Sequence, residues 1–162
     1  MNEQTIKKIN IITFSLGTEI FGIETDYVTN IIDKVEVTPI PKSPDTLKGV
    51  INIRGTILPL INTYAILETQ SYKNTKSNYI VIETQIGNQN NKFAIEVDSV
   101  LDVLEIDQEQ IIHPPKLGIK FPDSYLKGII KNQKSFVLLL NIDQTFNTET
   151  LYKKKHFRNQ IK

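Results

Sequence analysis

Residues 44–64 read Pro-Asp-Thr-Leu-Lys-Gly-Val-Ile-Asn-Ile-Arg-Gly-Thr-Ile-Leu-Pro-Leu-Ile-Asn-Thr-Tyr. Two apolar runs, 50–53 and 56–61, flank the pair Arg54-Gly55. Both are rich in β-branched residues, whose stiff χ1 suits a pleated strand better than a helix. A two-residue connection ending in Gly marks a hairpin, because Gly supplies the positive φ of a tight turn. Arg is less usual than Asn or Asp at the first turn position, so the turn type stays open. The stretch is a hairpin with a permanently charged, fork-shaped side chain at or near its tip.

Upstream, residues 9–16 read as a strand, with Ile12, Phe14 and Leu16 alternating against Thr13 and Ser15. Gly17-Thr18-Glu19 turns it and residues 20–23 return. Thr25 is placed as a helix N-cap with Asp26 in the first turn, and Val28, Ile31, Ile32 and Val35 fit a short apolar helical stripe. Residues 35–40 are strand-like up to Pro39-Ile40-Pro41, and Ser43-Pro44-Asp45 opens a turn or short helix. Residues 64–67 suit one helical turn, and the polar stretch 68–78 a surface loop.

The second half repeats the first. Phe21-Gly-Ile23-Glu24-Thr-Asp26-Tyr-Val28 corresponds to Phe93-Ala-Ile95-Glu96-Val-Asp98-Ser-Val100, an offset of 93 − 21 = 72 that also pairs Ile31 with Val103 and Ile32 with Leu104. Residues 44–51 are echoed by Pro122-Asp-Ser-Tyr-Leu-Lys-Gly-Ile-Ile130, and residues 58–62 by Leu138-Leu139-Leu140-Asn141. Order is kept across three blocks, which predicts two similar β subdomains sharing a core and under about a quarter helix. In the second copy the longer Lys131-Asn132-Gln133-Lys134 replaces Arg54-Gly55, and Leu139 replaces Pro59, a residue suited to an edge or bulge. The halves are expected to share a fold but present different surfaces.

The 162 residues suit one domain, and the formal charge of +1 argues against a dedicated nucleic-acid binder. The absence of Cys excludes disulfide and thiol chemistry. The N-terminal residues lack the apolar core of a signal peptide, and no apolar run approaches the ~18 residues of a membrane span. A cytoplasmic protein is the default expectation. Catalytic motifs are missing: His113 precedes Pro114-Pro115, His156 sits in a basic tail, and Gly87 marks a hairpin turn rather than a phosphate loop. Glu96 and Asp98 share a strand face by period two, with solvent exposure as ready a reading as any other. No catalytic residue, metal ligand, cofactor or small-molecule substrate is assigned. Lys153-Lys154-Lys155 and Arg158 make the tail 146–162 basic, which reads as a solvated segment in preference to one attracted to anionic lipid.

The central stretch resembles the signature of the CheW family, the adaptors linking chemotaxis receptors to the histidine kinase CheA. Lys48, Gly49, Val50, Asn52, Arg54, Gly55, Ile57 and Pro59 match the family pattern Lys-Gly-Val-x-Asn-Leu-Arg-Gly-x-Ile-x-Pro-Ile-Val-Asp-Leu, while Asn62 replaces its Asp. The resemblance runs from Phe14-Ser-Leu-Gly to Asn141-Ile142-Asp143. It implies a mainly β fold of two interlocked five-stranded barrels with short helices, a groove between them, and a single domain over residues 9–145 whose halves meet near 68–78. It implies a non-catalytic cytoplasmic scaffold recruited to membrane receptor arrays. Its partners would be the CheW-like regulatory domain of CheA and the cytoplasmic tip of a methyl-accepting receptor.

Protein binding falls on Val28, Ile31, Arg54, Gly55 and Ile57. By the residues alone, Arg54 could equally pair with a carboxylate inside the fold, and the stripe at Val28 and Ile31 could be core; the resemblance points to partners. Asn30 and Ile32 stand where a familiar adaptor carries Glu and Arg, which lowers the charge beside the groove. The alternatives are a paralogue serving another kinase pathway, a regulatory fragment of a larger kinase (disfavoured by the Met1 start), and a small β-barrel enzyme or nucleic-acid binder.

Overall fold

The apolar runs become ten strands. The computed structural model describes residues 7–70, 77–86, 88–113 and 121–147. The first copy contributes β1 (Lys8–Leu16), β2 (Glu19–Glu24), β3 (Val28–Asp33), β4 (Leu47–Ile53), β5 (Thr56–Ile61) and the helical turn α1 (Thr63–Ile66). The second contributes β6 (Asn78–Ile86), β7 (Gln89–Val97), β8 (Ser99–Asp107), β9 (Leu126–Asn132), β10 (Ser135–Leu140) and α2 (Ile142–Thr145).

The strands form two five-stranded sheets, ordered β8-β1-β2-β10-β9 and β3-β6-β7-β5-β4. Adding five to each strand number of the second order, with wrap-around, reproduces the first, so the sheets are related by the repeat. Neither sheet is one half of the sequence: each half's leading hairpin is exchanged into the other half's sheet. Each sheet curls toward closure through one further bridge, Thr38 to Val50 in one and Ile112 to Ile129 in the other. The architecture is mainly β, with two interlocked five-stranded units, as the resemblance implied. We call β8-β1-β2-β10-β9 the first barrel and β3-β6-β7-β5-β4 the second.

Strand periodicity explains why so many runs are apolar throughout. In β6, Tyr79 and Val81 fill the second barrel while Ile80 and Ile82 face a larger core shared between the barrels. In β10, Val137 and Leu139 fill the first barrel while Leu138 and Leu140 join the shared core. A strand covered on both faces carries no polar alternation. Burial, followed by the charge of Glu96, raises the pKa of Tyr79. The shared core also takes Phe146, whose ring lies 5.5 Å from that of Phe93. The basic residues 153–158 lie outside the described residues, as do Gly87 and most of the 68–78 loop.

Two ion pairs brace the exchange. Lys48 of β4 holds Glu96 of β7 at 2.8 Å, and Lys127 of β9 holds Glu24 of β2. The pairs are equivalent, since 48 + 79 = 127 and 24 + 72 = 96, and each links residues from opposite halves. Burial works against the charge of Lys127, but its hydrogen bond with Glu24 and the attraction of Glu24, Tyr27 and Asp143 outweigh it and raise its pKa. Glu96 and Asp98 are thus not solvent-facing: both are buried, and Asp98 accepts from the Gly17 N–H at 2.8 Å and from the Tyr64 hydroxyl.

The helical stripe is corrected. A single 3-10 turn spans Thr25–Tyr27 with Glu24, not Thr25, at its N-cap, and Val28–Asp33 is strand. The unpaired edge of β6 offers a ladder, and a sequence rich in β-branched residues takes it. Ile31 and Ile32 therefore face opposite ways: Ile32 packs toward the second barrel's interior, whereas Ile31 is exposed. The strand-like stretch 35–40 reduces to the bridge at Thr38. The second copy's hairpin is not longer than the first, because Asn132 pairs with Ser135 across the two-residue turn Gln133-Lys134. In that register Leu138, not Leu139, is the counterpart of Pro59, each opposing the equivalent residue of the preceding strand, Ile129 or Val50.

Candidate interaction site

The central hairpin forms as its sequence dictates, with β5 at its expected bounds and Ile53 paired to Thr56. Arg54 has φ +52° and Gly55 φ +87°. Positive φ at both central residues is the type I′ pattern, whose twist matches that of the strands. The Gly55 N–H donates to Asn52 Oδ1 at 2.8 Å, which fixes the turn. A Cβ on Gly55 would meet nothing within 4 Å, so conformation rather than space selects glycine there.

Arg54 has no Cβ-free excuse for its left-handed conformation, which costs an L-residue roughly 1 kcal/mol or more. It is exposed, and among the described residues no ion pair or hydrogen bond holds its guanidinium. Among the described residues a carboxylate inside the fold is therefore not its partner. Gln133, at the equivalent turn position, has φ +54°, so the conformation belongs to the hairpin, and it is the exposed, unpartnered charge that motivates a functional hypothesis.

Beside the tip, the end of the second barrel opens as a cleft of about 220 Å³. Ile32, Ile53, Leu58 and Val81 are its apolar lining, and Arg54 and Lys92 are its cations. Ile57 projects from the outer face of β5 with 58% of its surface exposed. Arg54, Gly55 and Ile57 thus belong to one hairpin. Ile31 lies on β3 between Asn30 and Ile32, both of which line the cleft, while its own side chain faces away from the barrel interior. Val28 does not join them: it is half-buried against the shared core.

Sequence reasoning missed the second copy's equivalents. Phe136, at the position of Ile57 (57 + 79 = 136), is 57% exposed, and Val103, the counterpart of Ile31, is 65% exposed. The repeat offset was the signal that could have found them. Among the described residues no group of three or more His, Cys, Asp or Glu side chains could hold a metal ion. No helix among those residues is long and apolar enough to cross a membrane.

Asn62 has a local task. Its Oδ1 accepts the Ala65 N–H as the N-cap of α1, and its Nδ2 donates to the Asp45 carbonyl at 3.1 Å. Asn141 caps α2 in the same way. An Asp would keep the capping acceptor and lose the donor.

The family model described as the CheW-like domain matches residues 10–150. The chemotaxis protein CheW of Klebsiella aerogenes is 32% identical over 138 residues, 85% of this chain and 81% of that protein. The CheW of Treponema pallidum is 26% identical over 91% of this chain and 87% of its own. The crystal structure of the scaffolding protein TtCheW from Thermoanaerobacter tengcongensis superposes with a TM-score of 0.77 at 26% identity, covering 93% of this chain and 95% of that one.

Proposed function

The chain belongs to the CheW-like domain family and serves as a chemotaxis scaffold, and from that premise we propose that it joins the histidine kinase CheA to a methyl-accepting receptor without catalysing a reaction itself. The regulatory domain of CheA engages one barrel surface and the receptor's cytoplasmic tip another. A scaffold alters kinase output only by contacting the kinase's states unequally, so the coupling is a difference of binding free energies. Its site of action is the cytoplasm beside receptor arrays.

The observation that carries this reading is Arg54: exposed, held in a left-handed turn, and unpaired among the described residues. A planar guanidinium with five donors can fix the orientation of a partner carboxylate or a set of carbonyls. Val28 supports this role only indirectly, by seating β3 against the shared core, whereas Ile31, Ile57 and Gly55 present or shape the surface.

The test is co-sedimentation with CheA and receptor-containing membranes. The protein is expected to pellet with the membranes and to raise CheA recovery and phosphorylation. Recovery of a different kinase in a pull-down would assign it to a parallel pathway instead. Sub-micromolar ATP binding or turnover of substrate by the purified protein would overturn the non-catalytic assignment.

A further inference from the structure

The end of the first barrel holds a cleft of about 260 Å³ between β8 and the turn of the β9-β10 hairpin. Ile20 and Val137, which also pack on that barrel's core, are its apolar floor, and Leu101 of its lining is 44% exposed. Asp102 comes from β8 and Lys134 from the hairpin turn, so a carboxylate and an ammonium border one cleft from different elements. The two form no ion pair with each other. Among the described residues no hydrogen bond or ion pair holds the side chains of Asp102, Asn132, Lys134 or Ser135.

Asp102 is positioned by a buried neighbour. The register of β1 against β8 shifts between Ile12 and Phe14, which takes Thr13 out of the ladder to β8. The Thr13 hydroxyl, in a residue only 3% exposed, replaces the lost rungs. It donates to the Asp102 carbonyl at 3.1 Å and accepts the Asp102 N–H at 3.0 Å. The backbone of Asp102 is thereby fixed while its carboxylate stays available.

The second barrel has a cleft at the equivalent place, furnished differently. Asn30 stands there for Asp102, Gly55 for Lys134 and Lys92 for Ile20. That cleft carries cations, Arg54 and Lys92, and no carboxylate, whereas the first barrel's cleft carries one charge of each sign over an aliphatic floor. Its volume falls below the ~300–1,000 Å³ of pockets that take drug-sized molecules, which leaves room for a ligand of amino-acid size.

We propose that the first barrel's cleft binds a small aliphatic zwitterion of the α-amino-acid class. The ligand's ammonium meets Asp102, its carboxylate meets Lys134 with Asn132 and Ser135 as further donors, and its side chain covers Ile20, Val137 and Leu101. A lone anion would lie against Asp102 and a lone cation against Lys134, while an uncharged ligand would desolvate both charges without compensation. Asp102 and Lys134 are exposed, so their pairing with the ligand is screened by water and a Kd of about 1 mM is expected. Neither residue belongs to the surface assigned to kinase and receptor, so the cleft and the scaffold role stand or fall separately.

The experiment titrates the isotope-labelled full chain with L-leucine and follows backbone amide shifts. Saturable shifts at Thr13, Leu101, Asp102 and Lys134 are expected. Leucinamide, which lacks the carboxylate, and N-acetyl-leucine, which lacks the ammonium, should each bind about tenfold more weakly. Asp102→Asn should weaken leucine about tenfold and leave N-acetyl-leucine unchanged, and Lys134→Gln should weaken leucine and leave leucinamide unchanged. Should either variant not fold, the two analogues on the unaltered chain decide the matter. Failure to saturate, shifts at Asn30 and Lys92 instead, or insensitivity to both substitutions overturns the proposal. Equal binding of N-acetyl-leucinamide, which carries neither charge, also overturns it and would make the occupant an internal segment of a protein chain.

Discussion

Replacing Arg54 separates stability from function, because the structure sets the two effects in opposite directions. At φ +52° the residue sits in the left-handed region, and among the described residues its side chain makes no polar contact. Arg54→Asn loses nothing inside the fold and places in the turn the residue type that best tolerates this conformation before Gly55. Part of a left-handed penalty of about 1–2 kcal/mol should be recovered, so a gain of ~0.5–1 kcal/mol is expected. For a domain of this size that corresponds to a rise in Tm of roughly 1–4 °C. Arg54→Ala keeps the strained backbone and should move stability by less than ~0.5 kcal/mol. Both variants should lose partner affinity by about 2 kcal/mol, or roughly 30-fold in Kd, if Arg54 is an interface anchor. Arg54→Lys should recover only part, since the charge remains and the planar fork is gone. Denaturant melts and calorimetric titration with the CheA regulatory domain measure the two axes. A loss of stability above 1 kcal/mol in Arg54→Ala would show a structural partner, and full affinity in Arg54→Asn would reduce Arg54 to a solvated turn residue.

Three further outcomes are expected. Gly49→Ala should destabilise the fold by several kcal/mol, because a Cβ there would lie 2.3 Å from the Thr38 carbonyl oxygen at φ +152°, and Gly128→Ala should do likewise against Ile112; equilibrium unfolding checks both, and a change under ~0.5 kcal/mol in either would refute the close-approach argument. Lys48→Met should cost about 2–3 kcal/mol, discounted for the partial exposure of Lys48, since it strands the buried Glu96; adding Glu96→Gln should restore part of the loss, and additive single-variant losses would deny the coupling. Raised folded-state values for Tyr79 and Lys127 mean that both bind their protons more tightly when folded, so their contribution is complete below about pH 10, the region of their ordinary values of 10.0 and 10.5, and is lost as pH rises beyond it. Melts from pH 8 to 12 should therefore show falling stability only in the alkaline limb, with a smaller fall in Tyr79→Phe.

Much of the local structure was legible in the residues. The hairpin around Arg54-Gly55 was readable because its determinants are adjacent: β-branched runs on both sides and a glycine where φ must be positive. The helical turn after Asn62 was readable for the same reason, since the cap and the amide it satisfies lie three residues apart. The segment at Val28 to Asp33 was misread because its apolar residues fit a helical stripe nearly as well as a strand. What decided between them was the free edge of β6, some 50 positions away by the pairing of Val28 with Ile82. The turn 133–134 was misread as longer because charged and amide side chains at Lys131 and Asn132 hide strand residues, the first exposed and the second half-buried at the barrel end.

By itself the sequence determined the β character of the chain, its twofold repeat and the hairpin that carries Arg54, since each depends on neighbours along the chain. The repeated Leu-Lys-Gly was visible too, but its meaning was not. Lys48 and Lys127 each hold a Glu from the opposite half, and Gly49 and Gly128 each let a bridging segment pass close over the strand. Only the tertiary structure exchanged the leading hairpins, because the ladders that capture β1 and β2 come from β8 and β10, whose positions no local rule connects to them. The same exchange turns the missing N–H of Pro59 toward β7. A residue that reads in sequence as a mild strand breaker becomes the reason β5 pairs with β7 at two positions where β10 pairs with β2 at three.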